Sequence, residues 1–324
     1  MVKSKRYRAT IFIPTYNGEE YLNDLLTMCF RQKYSYPFEV FIIDSGSTDG
    51  TLEIIKRFKK VRLHHIQKQD FSHGKTRQLA AEMSNSDFIV FLTQDAVPAH
   101  EQWLSQILYP FEIGDRIIAV LGRQIPRSDA MPITKRDVGV VFGELGPGHF
   151  ITIQSNNPLN SSAASQGANI FFSNVNSAIR RDFLIKEFGI PPVSYAEDMA
   201  FSKKLIENGW FKAYSPQGSV LHTHTYSVHG YYERMVAETQ ALVKQQFYKS
   251  TVSSRLLIGS FVWGVRKDVT FILKDKDYSF RRKVKWLIKT PEYNAARQLA
   301  IYRTVKNHFN EATATTGSKL DQQV

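Results

Sequence analysis

The sequence predicts an α/β protein built on a mainly parallel sheet flanked by helices and followed by a helical C-terminal region. Strand and helix patterns alternate four times at intervals of about 25 to 35 residues, which is typical of a parallel sheet. The apolar run Phe88–Leu92 has the composition of a strand buried on both faces. The loops after all four strands are polar, and we expect them at one sheet edge, where ligands bind in such folds.

The first part of the chain supplies these strand and helix pairs. The predicted strands are 9–13, 38–43, 61–66 and 88–92, and they end at Pro14, Asp44, Gln67 and Thr93. Helical spacing predicts helices over 19–31, 51–58 and 71–83, and a fourth that begins near residue 99.

The later part is less regular. Residues 117–121 predict a fifth strand, and the glycine-containing stretch 123–168 predicts a long loop. Beyond it the patterns predict a strand over 169–172, mostly helix over 176–188, a helix from about 195 to 208, short strands at 211–214 and 219–222, and a long helical region from 230 to about 310.

Composition excludes several classes of protein. The chain has 324 residues with a single cysteine, so a disulfide framework is excluded and a reducing compartment is expected. The basic N-terminus leads directly into the first strand, so we expect no secretion signal. The longest uncharged apolar stretch near the C-terminus, 256–265, is about half as long as a membrane-spanning helix.

The net charge of +12 is concentrated in one region. Thirteen basic and four acidic residues lie between Arg255 and Lys306, where apolar and aromatic residues such as Trp263 and Trp286 are interspersed. Such a mixture suits an anionic membrane surface. Packing on the rest of the protein, or a homodimer, is the alternative. Nucleic-acid binding is not expected, because the charge is confined to this region and no recognition motif occurs.

Asp44 ends the second strand and is followed by small residues that let a backbone approach a ligand closely. Its carboxylate could accept a hydrogen bond from the ring imide of uracil or thymine. A strand-to-helix turn capped by Thr48 or Asp49 explains the same pattern.

Asp95 follows the buried strand 88–92, where a carboxylate suits a divalent cation and, through it, a phosphate. Capping of the next helix is the alternative. His222 and His224 share one face if the chain is extended there, so either could complete a metal site with Asp95. A structural role, which is more common for such a histidine pair, is the alternative.

Glu197 and Asp198 begin a predicted helix, on which neighbouring residues point about 100° apart. One acid can therefore face a cavity while the other makes a structural bond. Asp198 suits a general base that deprotonates a hydroxyl, whereas two acids at a helix N-terminus can also be merely stabilising. Lys75 and Arg77 offer positive charge to a diphosphate or a base.

Five motifs occur in order along the chain: IPTYNG (13–18), DSGSTDGT (44–51), HGKTR (73–77), LTQDA (92–96) and ED (197–198). In this combination the chain resembles the family 2 glycosyltransferases over roughly residues 8–230, and within them the bacterial rhamnosyltransferase-like group. The resemblance implies a GT-A, Rossmann-like fold. It also implies an inverting transfer of L-rhamnose from dTDP-β-L-rhamnose to a hydroxyl of a growing, lipid-linked bacterial surface polysaccharide.

The resemblance implies roles for individual residues. Asp198 would be the base, and Asp95 with one of His222 and His224 would bind Mg²⁺ or Mn²⁺. Glu197 and Asn169 would face the acceptor. The nucleotide-sugar donor would be held by Pro14, Thr15, Tyr16, Asn17, Asp44, Ser45, Gly46, His73, Lys75, Arg77 and Gln94. Many relatives carry two acids at the metal motif, where this chain has Gln94 before Asp95.

The resemblance also suggests the domain organisation. Residues 1–230 would form the catalytic domain, with a nucleotide-binding half at about 8–122 and an acceptor half at about 123–230. A basic helical region (231–310) and a disordered tail (311–324) would follow. The expected location is the cytoplasm, peripherally on the inner face of the bacterial membrane. A non-catalytic subunit that binds nucleotide sugars or glycans is the alternative function.

Overall fold

The computed structural model describes residues 7–156, 169–191, 196–244 and 253–320, and the chain forms two compact units. Unit 1 comprises Met1–Arg127 and Val138–Thr223. Unit 2 comprises Ser128–Asp137 and His224–Val324.

A nine-stranded mixed sheet organises unit 1. Its strands are β1 Tyr7–Thr15, β2 Phe38–Asp44, β3 Val61–His65, β4 Ser86–Leu92, β5 Val97–Pro98, β6 Ile117–Ile125, β7 Thr152–Gln154, β8 Asn176–Arg180 and β9 Phe211–Leu221. Their order is β3-β2-β1-β4-β8-β6-β9-β5, with β7 paired to β9. The first four strands are mutually parallel, and β8 is antiparallel to both β4 and β6.

The helices are α1 Glu19–Phe30, α2 Thr51–Arg57, α3 His73–Met83, α4 Trp103–Leu108, α5 Pro110–Ile113, α6 Pro132–Glu144, α7 Glu197–Glu207, α8 Val228–Lys244, α9 Ser254–Lys274 and α10 Phe280–Leu320. A 3₁₀ turn covers Lys68–Asp70, and a helical turn, Arg181–Phe183, leads into a π-helical turn, Leu184–Phe188.

The sheet separates two apolar clusters, because successive side chains of a strand point to opposite faces. In β1, Ile11 belongs to one cluster, which α1 covers, and Phe12 belongs to the other, which α3 and α7 cover. Cys29 of α1 is fully buried in the first cluster. Burial raises the pKa of its thiol, so Cys29 behaves as a core residue.

Unit 2 has its own core between α8, α9 and α10. Tyr231, Ile272, Trp286 and Tyr293 are all buried there. Buried ion pairs accompany this core: Arg136 contacts Asp268 at 2.6 Å. Helix α10 continues through Leu320, which covers most of the segment predicted as a disordered tail; residues 321–324 lie outside the described part. In the described chain, none of the helices combines the length and the apolar character that a membrane crossing requires.

The predicted elements of the first hundred residues are confirmed, with ends within about two residues for most of them. The helix expected near residue 99 begins at Trp103, after the short strand β5. The prediction of an unbroken loop over 123–168 is wrong, since this stretch contains α6. Gly139 and Gly143 weaken the helical pattern, and packing of residues such as Phe142 in the core offsets their low helix propensity.

Two further predictions around β8 are wrong. The strand predicted at 169–172 is not formed, and the strand lies at Asn176–Arg180, where mostly helix was predicted. By local pattern alone, a short buried apolar run fits a strand or a helix. Here the segment is a strand because it pairs with β4 on one side and with β6 on the other. The strands predicted at 211–214 and 219–222 are one continuous strand, β9.

Candidate active site

The carboxyl ends of β1 and β2 lie side by side, because Thr15 is the register partner of Asp44. The Thr15 hydroxyl donates to Asp44 Oδ2 at 2.8 Å, and the Ser47 hydroxyl donates to the same oxygen at 2.6 Å. The backbone N–H groups of Gly46 and Ser47 both donate to Oδ1 at 3.0 Å. Gly46 has a φ of +90°, which favours glycine in this turn.

Asp44 is thus fully buried, and each of its oxygens accepts two hydrogen bonds. Burial alone would raise the pKa of Asp44, but the hydrogen bonds from Ser47, Thr15 and Gly46 outweigh it and hold the pKa below its ordinary value. About four acceptor sites are all that a carboxylate offers. A nucleotide base could therefore reach Asp44 only by replacing one of these donors.

The loops after β1 and β2 are tied together by side chains that accept from backbone N–H groups. Asn17, at a φ of +48°, accepts from Thr48 N at 2.8 Å through Oδ1. Thr51 Oγ1 accepts from Gly18 N at 2.7 Å, and Glu19 Oε2 accepts from Gly50 N at 2.7 Å. The motifs at 13–18 and 44–51 therefore form one rigid wall. Pro14 and Ser45 lie in this wall, with Ser45 Oγ donating to Thr15 O.

Gln94 pairs with the backbone of Tyr16 in both directions. Tyr16 N donates to Gln94 Oε1 at 2.9 Å, and Gln94 Nε2 donates to Tyr16 O at 3.1 Å. A carboxylate could not make the second of these bonds, because it has no donor when ionised. The contact is close enough that a Cβ at Gly18 would lie 2.5 Å from Gln94 Oε1. Gln94 therefore joins the β4 loop to the β1 loop.

Asp95 and His222 meet because of the pairing of β5 with β9. Val97 is the partner of Leu221 in this antiparallel ladder, so the residues just before β5 lie beside those just after β9. His222 Nε2 lies 3.4 Å from Asp95 Oδ2. Thr93 Oγ1 donates to Asp95 Oδ1 at 2.7 Å, and Arg127 Nη2 donates to its backbone carbonyl at 2.7 Å.

Gln124 orients the ring of His222. Its Oε1 lies 3.0 Å from His222 Nδ1, while its Nε2 donates to Ser173 Oγ at 3.1 Å. With the amide so oriented, Oε1 can only accept, so Nδ1 is the donor of this hydrogen bond and Nε2 is the ring nitrogen that faces Asp95. A neutral ring held in this way binds a metal through Nε2.

Asp95 and His222 each offer a ligand atom, Oδ2 and Nε2, and these atoms lie 3.4 Å apart. His224, the third residue predicted for this site, belongs to unit 2. A carboxylate oxygen and an imidazole nitrogen suit a divalent transition cation, and bound phosphate oxygens would fill further positions. The residues present thus fit a divalent cation without a second acid at position 94.

Arg77 and Glu197 form a buried ion pair that joins α3 to the start of α7. Gly74 permits the close approach, since a Cβ there would lie 3.1 Å from Pro191 O. Partial desolvation and the charge of Arg77 lower the pKa of His73. The ion pair with Arg77 thus engages the carboxylate of Glu197. Lys75 lies on the same helical turn as Arg77 and is exposed.

Asp198 is half-buried and accepts from Asn174 N at 3.1 Å and from Met199 N at 2.8 Å. Desolvation, followed by the charge of Glu197, raises the pKa of Asp198 to about 6, although Arg77 and both N–H donors oppose the shift. Ala196, just before the pair, has a φ of +56°, an uncommon conformation for alanine. Strain of this kind is concentrated at functional sites.

Asp198 lies at the same sheet edge as Asp95 and His222, the candidate metal ligands. Asn174 precedes β8, whose first residue Asn176 pairs with Leu92 at the end of β4. The short loop after Leu92 carries Asp95.

Asn169 is half-buried, and no hydrogen bond to the described residues ties it to these groups. Four residues that shape the site were not predicted: Ser47, Gln124, Arg127 and Asn174. Extending the fifth predicted strand beyond 121 would have placed Gln124 at its polar end.

The family model "Glycosyl transferase family 2" matches residues 10–187. The chain is 32% identical over 232 residues to the O-antigen chain rhamnosyltransferase RfbN of Salmonella typhimurium, covering 70% of each chain. It is 32% identical over 227 residues to the O-antigen chain rhamnosyltransferase WbaN of Salmonella anatum, covering 69% of each.

Among solved structures, the mannosyltransferase PcManGT of Pyrobaculum calidifontis, in complex with GDP-Man and Mn²⁺, superposes with a TM-score of 0.57 at 16% identity. The match covers 92% of this chain and 88% of that one, and it shows the GT-A fold. The chain belongs to glycosyl transferase family 2 and is a glycosyltransferase.

Proposed function

We propose that this enzyme transfers L-rhamnose from dTDP-β-L-rhamnose, with inversion, to a hydroxyl of a growing lipid-linked bacterial surface polysaccharide. The observation that carries the proposal is Asp198, a carboxylate with a pKa of about 6 at the sheet edge that also holds Asp95 and His222. The choice of rhamnose is supported by the 32% identity to two O-antigen rhamnosyltransferases.

On the donor side, the wall formed by the β1 and β2 loops would bind the nucleotide, with Thr15 and Tyr16 among its contacts, whereas Arg77 is engaged by Glu197. Asp95, with His222, would hold Mg²⁺ or Mn²⁺. That ion supplies charge neutralisation to the departing diphosphate. Lys68, whose ammonium lies 2.7 Å from the Tyr16 hydroxyl, would keep the exposed Tyr16 ring beside the nucleotide.

On the acceptor side, Asp198 would take the proton of the attacking hydroxyl. The oxygen forms a bond to the anomeric carbon as the bond from that carbon to the diphosphate breaks, and dTDP leaves. Attack on the face opposite the leaving group turns the β-linked donor into an α-rhamnoside. A base with a pKa of about 6 is ionised at neutral pH and still basic enough to assist.

Glu197 would not compete for this proton, because Arg77 keeps it paired. Its charge has a second effect, since it raises the pKa of Asp198. The adjacent acids would therefore divide the work, one positioning the helix start and the other acting on the acceptor.

The donor is tested by a thermal-shift series with dTDP-rhamnose, UDP-glucose and GDP-mannose, each with and without Mn²⁺. A ligand that binds the native state raises the melting temperature, so dTDP-rhamnose with Mn²⁺ should give the largest shift. Proton NMR of the product should then show an α-linkage. A larger shift with another nucleotide sugar would overturn the donor assignment, and donor binding without any transfer would indicate a non-catalytic subunit.

A lipid-linked acceptor is confined to the membrane, so we also place the enzyme in the cytoplasm, on the inner face of the bacterial membrane. Trp263, predicted for membrane contact, is exposed, and so are Leu256, Ile258 and Val262 of the same apolar stretch, which supports this location. Trp286 is buried in the core of unit 2, and its predicted membrane contact is therefore wrong.

A further inference from the structure

The first three turns of α10 expose an apolar stripe. Phe280, Val284 and Ile288 lie four residues apart and are 82%, 41% and 69% exposed. Residues at this spacing lie one above another on a helix. Exposure of three large apolar side chains in one row is unusual for a surface that meets only water.

A basic stripe runs beside the apolar one. Arg281, Lys285 and Lys289 follow the apolar residues by one position each, and all three are exposed. One position corresponds to a rotation of about 100°, so the two stripes lie next to each other along the same outward half of the helix. The opposite side carries Trp286 and Tyr293, which are buried in the core of unit 2 and fix the rotation of the helix.

The nearby acids do not balance this charge, because most of them are used inside unit 2. Asp268 pairs with Arg136 at 2.6 Å. Asp275 and Asp277 both contact Lys135 at 2.7 Å. Within the described part of α10, Glu292 is the remaining exposed acid near the stripes.

We propose that this double stripe, Phe280–Lys289, lies in the headgroup region of an anionic lipid bilayer. The apolar row would enter the boundary with the acyl chains, and the basic row would contact lipid phosphates. The stripe is about 15 Å long at 1.5 Å per residue. This proposal adds a lipid-contacting surface to the proposed function. It rests on that function in one respect: an enzyme that acts on a lipid-linked acceptor has to reach the membrane.

A second copy of the chain fits this surface less well. In a two-fold symmetric dimer the same patch occurs on both partners. Two such stripes in contact would bring basic rows together, and like charges across an interface are unfavourable. An anionic bilayer complements both rows, because its acyl chains suit the apolar row and its phosphates suit the basic row.

The test is co-sedimentation of the full-length protein with vesicles of phosphatidylcholine alone or with 30 mol% phosphatidylglycerol. We expect binding to the anionic vesicles. Replacing Arg281, Lys285 and Lys289 by serine should weaken it about 100-fold, at about 1 kcal/mol per basic residue. Phe280→Ser with Ile288→Ser should weaken it about tenfold, including at high salt. The matched control is Ile113→Ser, an apolar residue of unit 1 that is 49% exposed.

All variants should keep the wild-type melting temperature, and transfer to a soluble, lipid-free acceptor should be unchanged. Equal vesicle binding by wild type and both stripe variants would overturn the proposal. A shift of the stripe variants from dimer to monomer in light scattering, without any change in vesicle binding, would assign the surface to a second copy. Intact vesicle binding together with no sugar transfer would reject the proposed function and leave this inference standing.

Discussion

Arg77 and Glu197 lie 120 positions apart in the sequence and form an ion pair in which each side chain is only 6% exposed. This contact anchors the start of α7, where Asp198 follows Glu197 directly. Two adjacent acids thereby acquire different environments, one paired with a cation and the other desolvated beside a negative charge. Such separation of neighbouring carboxyl groups is a recurrent way of assigning an acid–base role.

Asp198→Asn should lower kcat by about 10²- to 10⁴-fold, the usual contribution of a general base, with little change in donor binding. In the wild type, kcat/KM should fall about tenfold per pH unit below pH 6, since the base is then protonated. Initial rates from pH 4.5 to 8 measure both effects. Asp182→Asn, at an exposed ion pair with Lys186, is the control. Full activity of the Asp198 variant would remove it from the mechanism.

The same group makes stability depend on pH. The pKa of Asp198 is about 6 in the folded chain against an ordinary value of 3.8, so between these values the folded state binds more protons than the unfolded state. Wild-type stability relative to Asp198→Asn should therefore rise as pH falls from 7.5 to 4.5, by up to about 2 kcal/mol. Urea unfolding at both pH values measures it, and a constant difference would contradict the raised pKa.

Glu197→Gln should lower the free energy of unfolding by about 3–5 kcal/mol, because it leaves Arg77 buried without its partner charge. The matched control is Glu53→Gln, which removes an exposed pair with Lys56 and should cost less than about 1 kcal/mol. Chemical denaturation compares the two variants. Similar losses for both would mean that the Arg77 pair adds no more than a surface contact.

Gln124→Leu should weaken Mn²⁺ binding about 10- to 100-fold, since His222 then loses the acceptor that fixes its tautomer. Gln124→Glu keeps an acceptor at this place and should retain the affinity. Electron paramagnetic resonance of free Mn²⁺ gives the dissociation constants without any need for turnover. Equal affinities in the leucine variant and the wild type would exclude a positioning role for Gln124.

Gln94→Glu tests why this chain has an amide before Asp95. The carboxylate would lose the donation to Tyr16 O and face that carbonyl instead, so stability at pH 7.5 should fall by about 1 kcal/mol. Donor affinity should fall as well, because the β1 loop is no longer held. Thermal unfolding with and without dTDP measures both, with the exposed Gln217→Glu as control. Tighter Mn²⁺ binding without loss of stability would instead show that a second acid at this motif serves the metal.

The first hundred residues could be predicted closely because each element carries its own local pattern. Strand β4 contains the unbroken apolar run Phe88–Leu92, and the polar residues after it include Gln94 and Asp95, as expected. Strand β8 could not be found in this way, since its identity depends on pairing with β4 and β6. Helix α6 was missed because its glycines mask a pattern that only core packing completes.

In the candidate site too, some features follow from local sequence and others depend on contacts between distant segments. The motifs predicted Asp44, Asp95 and Asp198 as site residues, and spacing predicted His222 and His224 as candidate ligands, but the partners of these residues come from distant segments. The contact between Asp95 and His222 arises from the β5–β9 register, and Asp44 is satisfied by its own loop and by Thr15 rather than presented to solvent. Hydrogen bonds of that kind depend on three-dimensional placement, which spacing along a sequence does not encode.

Cys29 is the single cysteine of the chain, and it is fully enclosed by the core. Its thiol therefore does not compete for maleimide reagents in the folded protein. A cysteine introduced at any exposed position, for instance in place of Ile288, would be the unique site of attachment for a spin label or fluorophore. The natural sequence can thus serve directly as a background for distance and immersion-depth measurements.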